Sequence, residues 1–304
     1  MKKEEEKLKL LDKINTKNKY VWANEKSSTE IQDWINNFDD EDQLMALNIA
    51  LGIKFYSKEL IRSSLVALSK KIVTYLCEEN NELRGDLYTS DDINESKKLI
   101  NNFVEKNCLF VSFGDACSSG AMLLYYYNKH LDFDKINSTS LCELFTEDKY
   151  NSYSYIFLID DFIGTGDQAV ETWYEKKCGS SLGEFSQQFP LKKIALTVLV
   201  ASEIGIDEIE NDIGKDNIKI IANDMITQKM NTFSPYSSLF KDSTSRSKAR
   251  VSLYNLGKEL NPRFPLGYGS MALTIAFSHN TPDNTLPVIW KKTNSWQPLF
   301  ERHE

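Results

Sequence analysis

Two adjacent carboxylates, Asp160 and Asp161, close an unbroken apolar run, Tyr155-Ile156-Phe157-Leu158-Ile159. Phe162-Ile163-Gly164-Thr165-Gly166-Asp167-Gln168 follows directly. This order has chemical content. Glycines let a backbone approach a ligand closely, and the N–H groups at the start of a helix favour a phosphate. Carboxylates beside such a loop can hold sugar hydroxyls and stabilise positive charge developing on the ring. The expected ligand is therefore a sugar phosphate. Asp160 and Asp161 would take the catalytic role on the ribose. Ile163, Gly164, Thr165, Gly166, Asp167 and Gln168 would form the phosphate and ribose loop. Mg2+ suits a ligand of this kind, held by its phosphate oxygens and water, with no side chain ligating the metal directly. The plain alternative is a strand that ends in two acids and an ordinary turn.

Three further groups carry polar chemistry. Gly114, Asp115, Ser118 and Ser119 lie in a small-residue loop after the apolar run Cys108–Phe113. No Gly-Lys-Ser/Thr follows, so it is not a Walker A loop. His279, Asn280 and Asn284 sit close together between prolines, with Trp290 beyond them. They either present polar groups and a stacking ring to a base, or make local turns around a buried Trp290. Arg246, Lys248 and Arg250 stand in a serine-rich stretch, read as a basic lid or as a solvated linker. The five cysteines are scattered and odd in number, so neither a disulfide framework nor a zinc site is expected. Three histidines are too few for a histidine-rich metal centre.

These residues need a scaffold, and the hydrophobic pattern supplies one. Residues 1–105 read as helical, with Leu65, Leu68, Ile72 and Leu76 at three- and four-residue steps. Trp22, Trp34 and Phe38 either anchor this region to the rest or form its core. Residues 106–230 alternate short apolar runs (108–113, 155–159, 194–200, 218–222) with helical stretches. That alternation predicts a parallel α/β sheet flanked by helices, with ligands at the carboxyl ends of its strands. A helix is expected over 139–145. In residues 231–304, a polar stretch leads to a helix from Val251 to Leu260, and 271–278 reads as strand or helix. These last residues form a C-terminal lid and cap on the core, so the length suits one core with an N-terminal helical extension.

Composition narrows the class. The chain has 304 residues, 36 basic against 44 acidic, and a net charge of −8. Its 12% aromatic content suits a folded core and excludes a disordered chain. The acidic balance argues against broad nucleic-acid binding, which needs clustered Lys and Arg. The charged N-terminus has no apolar segment, and the longest apolar run falls far short of the roughly 20 residues of a membrane helix. A cytoplasmic protein with no membrane contact is expected.

The segment Ile156–Gly166 resembles the phosphoribosyl-diphosphate (PRPP) motif of type I phosphoribosyltransferases: an apolar strand, two acids, two variable residues, a small residue and Thr-Gly. Gln168 stands where that family usually has Thr or Ser. The whole layout looks most like the phosphoribosyltransferase-like proteins of bacterial conflict systems, PRTase-CE. The shared features are the helical N-terminal region with Trp34 and Phe38, the Asp160–Gly166 loop, and His279–Pro287 followed by Trp290. The resemblance implies a type I phosphoribosyltransferase-like fold with Gly114–Gly120 as the pyrophosphate loop. No hood loop is evident between the two strand–helix units, and the Arg246–Arg250 segment is its candidate substitute. The implied activity makes or breaks an N-glycosidic bond at ribose C1 of PRPP or a nucleotide, within bacterial defence. The alternatives are a non-catalytic module sensing that ligand, and a scaffold whose N-terminal helices dock a protein partner of a defence operon.

Overall fold

The computed structural model describes residues 2–114 and 119–303. In chain order come α1 (Lys2–Tyr20), α2 (Ser28–Ile35), α3 (Gln43–Gly52), β1 (Lys54–Tyr56), α4 (Lys58–Glu79), α5 (Asn81–Thr89) and α6 (Ile93–Asn107). Then follow β2 (Cys108–Ser112), α7 (Ser119–His130), β3 (Asn137–Ser140), α8 (Leu141–Thr146), β4 (Tyr155–Ile163), α9 (Asp167–Tyr174) and α10 (Leu182–Gln188). The chain continues through β5 (Lys193–Ser202), α11 (Glu203–Ile209), β6 (Lys219–Ile226), α12 (Ser243–Leu260), β7 (Ile275–Phe277) and α13 (Pro287–Trp290). None of the described helices is long and apolar enough to cross a membrane.

Two compact units result: Met1–Leu60 with Ile226–Glu304, and Ile61–Met225. This grouping differs from the division at 105 and 230 drawn from the sequence. Helical periodicity shows that a face is apolar, not which part of the chain will bury it. Trp34 and Phe38 bury themselves among residues more than 200 positions away, whereas α5 and α6 stay with the sheet.

In the first unit Trp22, Trp34 and Phe38 are core. Trp22 and Trp34 have no exposed surface. Trp34 meets Phe38 edge to face at 5.1 Å, and Phe38 meets Trp296 at 5.0 Å. The indole N–H groups of Trp34 and Trp296 both donate to the Val288 carbonyl, at 2.7 and 3.1 Å. β1 and β7 pair in parallel, with Phe55 opposite Ala276. A capping box starts α2: Ser27 accepts from the Glu30 N–H, and Glu30 accepts from the Ser27 N–H. The helix predicted from Val251 begins earlier, at Ser243, because the Asp242 carboxylate caps it through the Ser245 N–H at 2.7 Å. The basic lid residues therefore lie on a helix.

One lysine of this unit is held at a cost. Lys17 is half-buried, donates to the Leu51 carbonyl at 2.5 Å and sits 5.7 Å from the Trp22 ring. Burial pulls its ammonium down to about 8. The unfolded chain, with lysine near 10.4, binds the proton more tightly, so stability rises with pH in the window between these values. Urea melts of wild type and Lys17→Met should differ by a constant amount below pH 8. Between pH 8 and about 10 the difference should move in favour of the wild type. A difference that stays flat across that window rejects the burial argument.

In the second unit the five-stranded sheet runs β3-β2-β4-β5-β6, and its registered pairs, β2 with β3, β2 with β4 and β4 with β5, are parallel. β4 and β5 are continuous apolar runs because the sheet buries them on both faces. Two elements differ from expectation. The helix expected over 139–145 forms as α8 from Leu141, and the two residues before it end the edge strand β3, Asn-Ser-Thr-Ser, which needs no apolar alternation at a sheet edge. β4 extends to Ile163, so the acid pair lies within the strand and not beyond it. Cys142 on α8 and Cys178 form one disulfide, with Cα atoms 5.3 Å apart. Their separation of 36 residues gave no sign of it.

Candidate functional site at the carboxyl ends of β2 and β4

The strand order places the site. From β2 the chain moves to β3 on one side, then returns to lay β4 on the other. Connections that leave in opposite directions open a crevice at the carboxyl ends of the two central strands. Register pairs Ser112 with Ile159, and the Phe113 N–H continues the ladder to the Ile159 carbonyl at 3.0 Å. Phe113, directly after β2, and the acid pair of β4 therefore share this end of the sheet. Gly114 turns there with φ +91°, which suits glycine. Asp115 and Ser118 lie outside the described residues, and Ser119 opens α7.

Asp160 is buried, at 5% exposure, and its Oδ1 accepts the Asp161 N–H at 2.9 Å. Asp161 is half-buried. Ile163 puts its side chain in the core of this unit, so only its backbone can serve a ligand. Gly166 is left-handed, φ +92°, and caps α9 without a side-chain bond. The Thr165 hydroxyl donates to the Asp167 carboxylate at 2.9 Å, and Asp167 and Gln168 are exposed at the helix start.

The loop rests on α11, which sequence reasoning missed. A Cβ on Gly205 would lie 2.3 Å from the Gly164 carbonyl oxygen, and one on Gly166 would lie 2.6 Å from that of Gly205. Ser202, the cap of α11, accepts the Gly205 N–H at 2.9 Å and donates its hydroxyl to the Gly164 carbonyl. The only trace in the sequence is Ser-x-x-Gly directly after an apolar strand, a common way to start a helix.

The remaining candidates belong to the first unit. Arg246 is half-buried and donates weakly to the Ser234 carbonyl at 3.5 Å, and Arg250 is exposed. His279 packs its ring 5.3 Å from Phe277. The Asn280 amide is occupied by backbone groups of Thr281 and His303, and that of Asn284 by the Tyr268 carbonyl. Trp290 is buried and donates to the Thr285 carbonyl at 2.8 Å. In this structure the tail makes local turns around a buried tryptophan. A polar cleft of about 330 Å³ lies beside it, lined by Trp290, Lys291, Lys292, Glu301, Arg302 and His303.

An open parallel sheet flanked by helices, with an acid pair and a glycine loop at its switch point, defines a phosphoribosyltransferase-like α/β protein. The PRTase-CE family model matches residues 31–302, and the chain belongs to that family. No curated protein matches it.

Proposed function

We propose that this chain binds a 5-phosphoribosyl compound, PRPP or a nucleotide, together with Mg2+, at the carboxyl ends of β2 and β4. There it makes or breaks the N-glycosidic bond at ribose C1. The observation that carries the reading is the continuous run from Asp160 to the left-handed Gly166 that opens α9. N–H groups of the Gly164–Gln168 turn would take the 5′-phosphate. Asp160 and Asp161 would hold the ribose hydroxyls and stabilise the cationic ribose as the leaving group departs. Rate would come from positioning and electrostatics, since pyrophosphate is a good leaving group once oriented and neutralised. The carboxylates at the strand end are hard oxygen donors, compatible with Mg2+ water ligands. The metal, carried mainly on the ligand's phosphate oxygens, would neutralise charge there. The family resemblance supports a setting in bacterial defence, in the cytoplasm, with a protein partner on the N-terminal helices.

One observation favours a second reading, a module that senses the ligand without turning it over. The Thr165 hydroxyl is committed to Asp167, which adds a negative charge at the phosphate end of α9. That charge weakens phosphate binding, and backbone N–H groups must do the rest.

Purified protein incubated with PRPP, bases, nucleotides and Mg2+ tests both readings. The catalytic reading expects release or consumption of base or pyrophosphate. Asp161→Ala should lower that rate by about 10²–10³-fold, the usual cost of losing one charge-stabilising group. Saturable binding with no turnover selects the sensing module. The absence of both binding and turnover sinks the proposal.

A further inference from the structure

Directly after α9, Lys177 and Ser180 exchange backbone hydrogen bonds at 2.8 and 3.2 Å, so the two residues between them form a tight hairpin turn. Both are left-handed, Cys178 with φ +52° and Gly179 with φ +95°. Asn, Asp or Gly suits the first of these positions, and a cysteine there is held at a cost. The sulfur supplies a reason for it. Cys178 is bonded to Cys142 on α8. Cys178 is exposed and Cys142 half-buried. A disulfide at an exposed residue is open to attack by an external thiolate.

The course of the bond matters as much as its access. α8 is seated on the sheet: a capping box starts it, and Leu141 and Leu144 lie in the core of this unit. The stretch from Cys142 to Cys178, a separation of 36 residues, contains β4 with its acid pair, the Gly164–Gly166 turn and α9. The disulfide therefore closes a covalent ring around the whole candidate loop. It anchors the segment that leaves the far end of α9, whose near end is that turn. Such a link restricts the freedom of the chain it encloses. The free cysteines among the described residues are poor competitors. Cys108 is buried and Cys77 half-buried, and burial pushes both thiols up.

We propose that Cys142 and Cys178 form a reversible thiol–disulfide switch, driven by small thiols and their disulfides, that sets how firmly α9 and the turn opening it are held. In the reducing direction, a small thiolate attacks the Cys178 sulfur. The bond to Cys142 breaks, and Cys142 leaves as a thiolate. A second small thiolate attacks the mixed disulfide at the small molecule's sulfur and releases Cys178. Two small thiols are oxidised to one disulfide, two electrons reduce the protein bond, and the two protons end on the cysteine sulfurs. Oxidation is the reverse. The effect on a ligand rests on the ribosyl-phosphate reading of the site; the switch itself does not.

The full chain, equilibrated across ratios of reduced to oxidised glutathione, then acid-quenched, denatured and alkylated, reports each cysteine by peptide mass. Cys142 and Cys178 should convert together between disulfide and thiol, and an excess of reduced glutathione should free both. The oxidised protein should melt about 5–10 °C above the reduced one, the gain expected from closing a loop of this length. Without ligand, the backbone amides of residues 164–174 should exchange their hydrogens more slowly in the oxidised form. Cys178→Asn removes the sulfur and suits the left-handed turn, so it keeps the fold. It should exchange like reduced wild type at every glutathione ratio. Affinity for PRPP with Mg2+, by calorimetry, should be about two- to tenfold higher in the oxidised protein, because a segment already restrained loses less freedom on binding. A bond that excess glutathione leaves intact in the folded protein overturns the switch, as do equal exchange rates in the two forms. Equal affinities in the two forms overturn its control of the site. If neither form binds a ribosyl phosphate, the proposed function fails separately, and the alkylation and exchange measurements still decide the switch.

Discussion

Trp34→Ala should destabilise the first unit by about 3–5 kcal/mol, the usual cost of removing a large buried aromatic residue. Three losses combine. The indole leaves a void, because Trp34 has no exposed surface. The chain of edge contacts through Phe38 to Trp296, at 5.1 and 5.0 Å, loses its first member. The Val288 carbonyl keeps only its longer bond, 3.1 Å from Trp296, after losing the 2.7 Å bond from Trp34. That last loss joins positions 254 apart, so it removes a link between the two chain segments that build this unit. Urea denaturation should show the full effect for Trp34→Ala. Trp34→Phe keeps a ring but drops the indole donor and should lose less, about 1–3 kcal/mol. If Trp34→Ala costs under about 1 kcal/mol, the aromatic cluster is not what holds residues 1–60 to 226–304.

Much of the sheet was legible because burial on both faces leaves a plain mark. The runs around Leu158 and Leu196 are apolar without alternation, and both became central strands. β3 left no such mark, since its residues are Asn, Ser, Thr and Ser at a sheet edge. The Ser243 start of α12 was hidden for a related reason. Serine and threonine disfavour helix interiors, and the Asp242 cap that compensates is a single local bond. The site was half legible. Asp160, Asp161 and the Gly164–Gly166 turn lie within one short segment, so the candidate site could be read from their spacing. Ser202 and Gly205 are distant in sequence and join the loop only through the fold. No periodicity encodes that a glycine on one helix must admit a carbonyl from another strand's loop.

Gly205→Ala should reverse the usual sign of a glycine-to-alanine change in a helix. Alanine is ordinarily better there by about 0.5–1 kcal/mol, because glycine loses more backbone freedom on folding. Gly85 on α5 supplies the reference, since a Cβ there meets nothing within 4 Å. Gly85→Ala should therefore stabilise the protein by about that amount. At Gly205 the new methyl would lie 2.3 Å from the Gly164 carbonyl oxygen and 2.7 Å from Ile163 Cγ2. Neither contact can be relieved by rotating a flexible side-chain end, because one is backbone and the other belongs to a buried β-branched residue. Overpacking of this kind costs about 1–3 kcal/mol, enough to outweigh the helix gain. The strain also has a direction. Moving the Gly164 carbonyl away from α11 breaks the bond from the Ser202 hydroxyl and shifts the Thr165–Gly166 turn that opens α9. Ligand binding at that turn should then fall further than the loss of stability explains. Ser202→Ala provides the milder version, removing the bond without adding bulk. Paired urea melts and binding titrations of the three variants separate the effects. Should Gly205→Ala match Gly85→Ala in stability and bind like wild type, the loop does not depend on α11 for its position. If it melts lower and binds less, with Ser202→Ala intermediate in both, α11 is the platform that holds the Thr165–Gly166 turn in place.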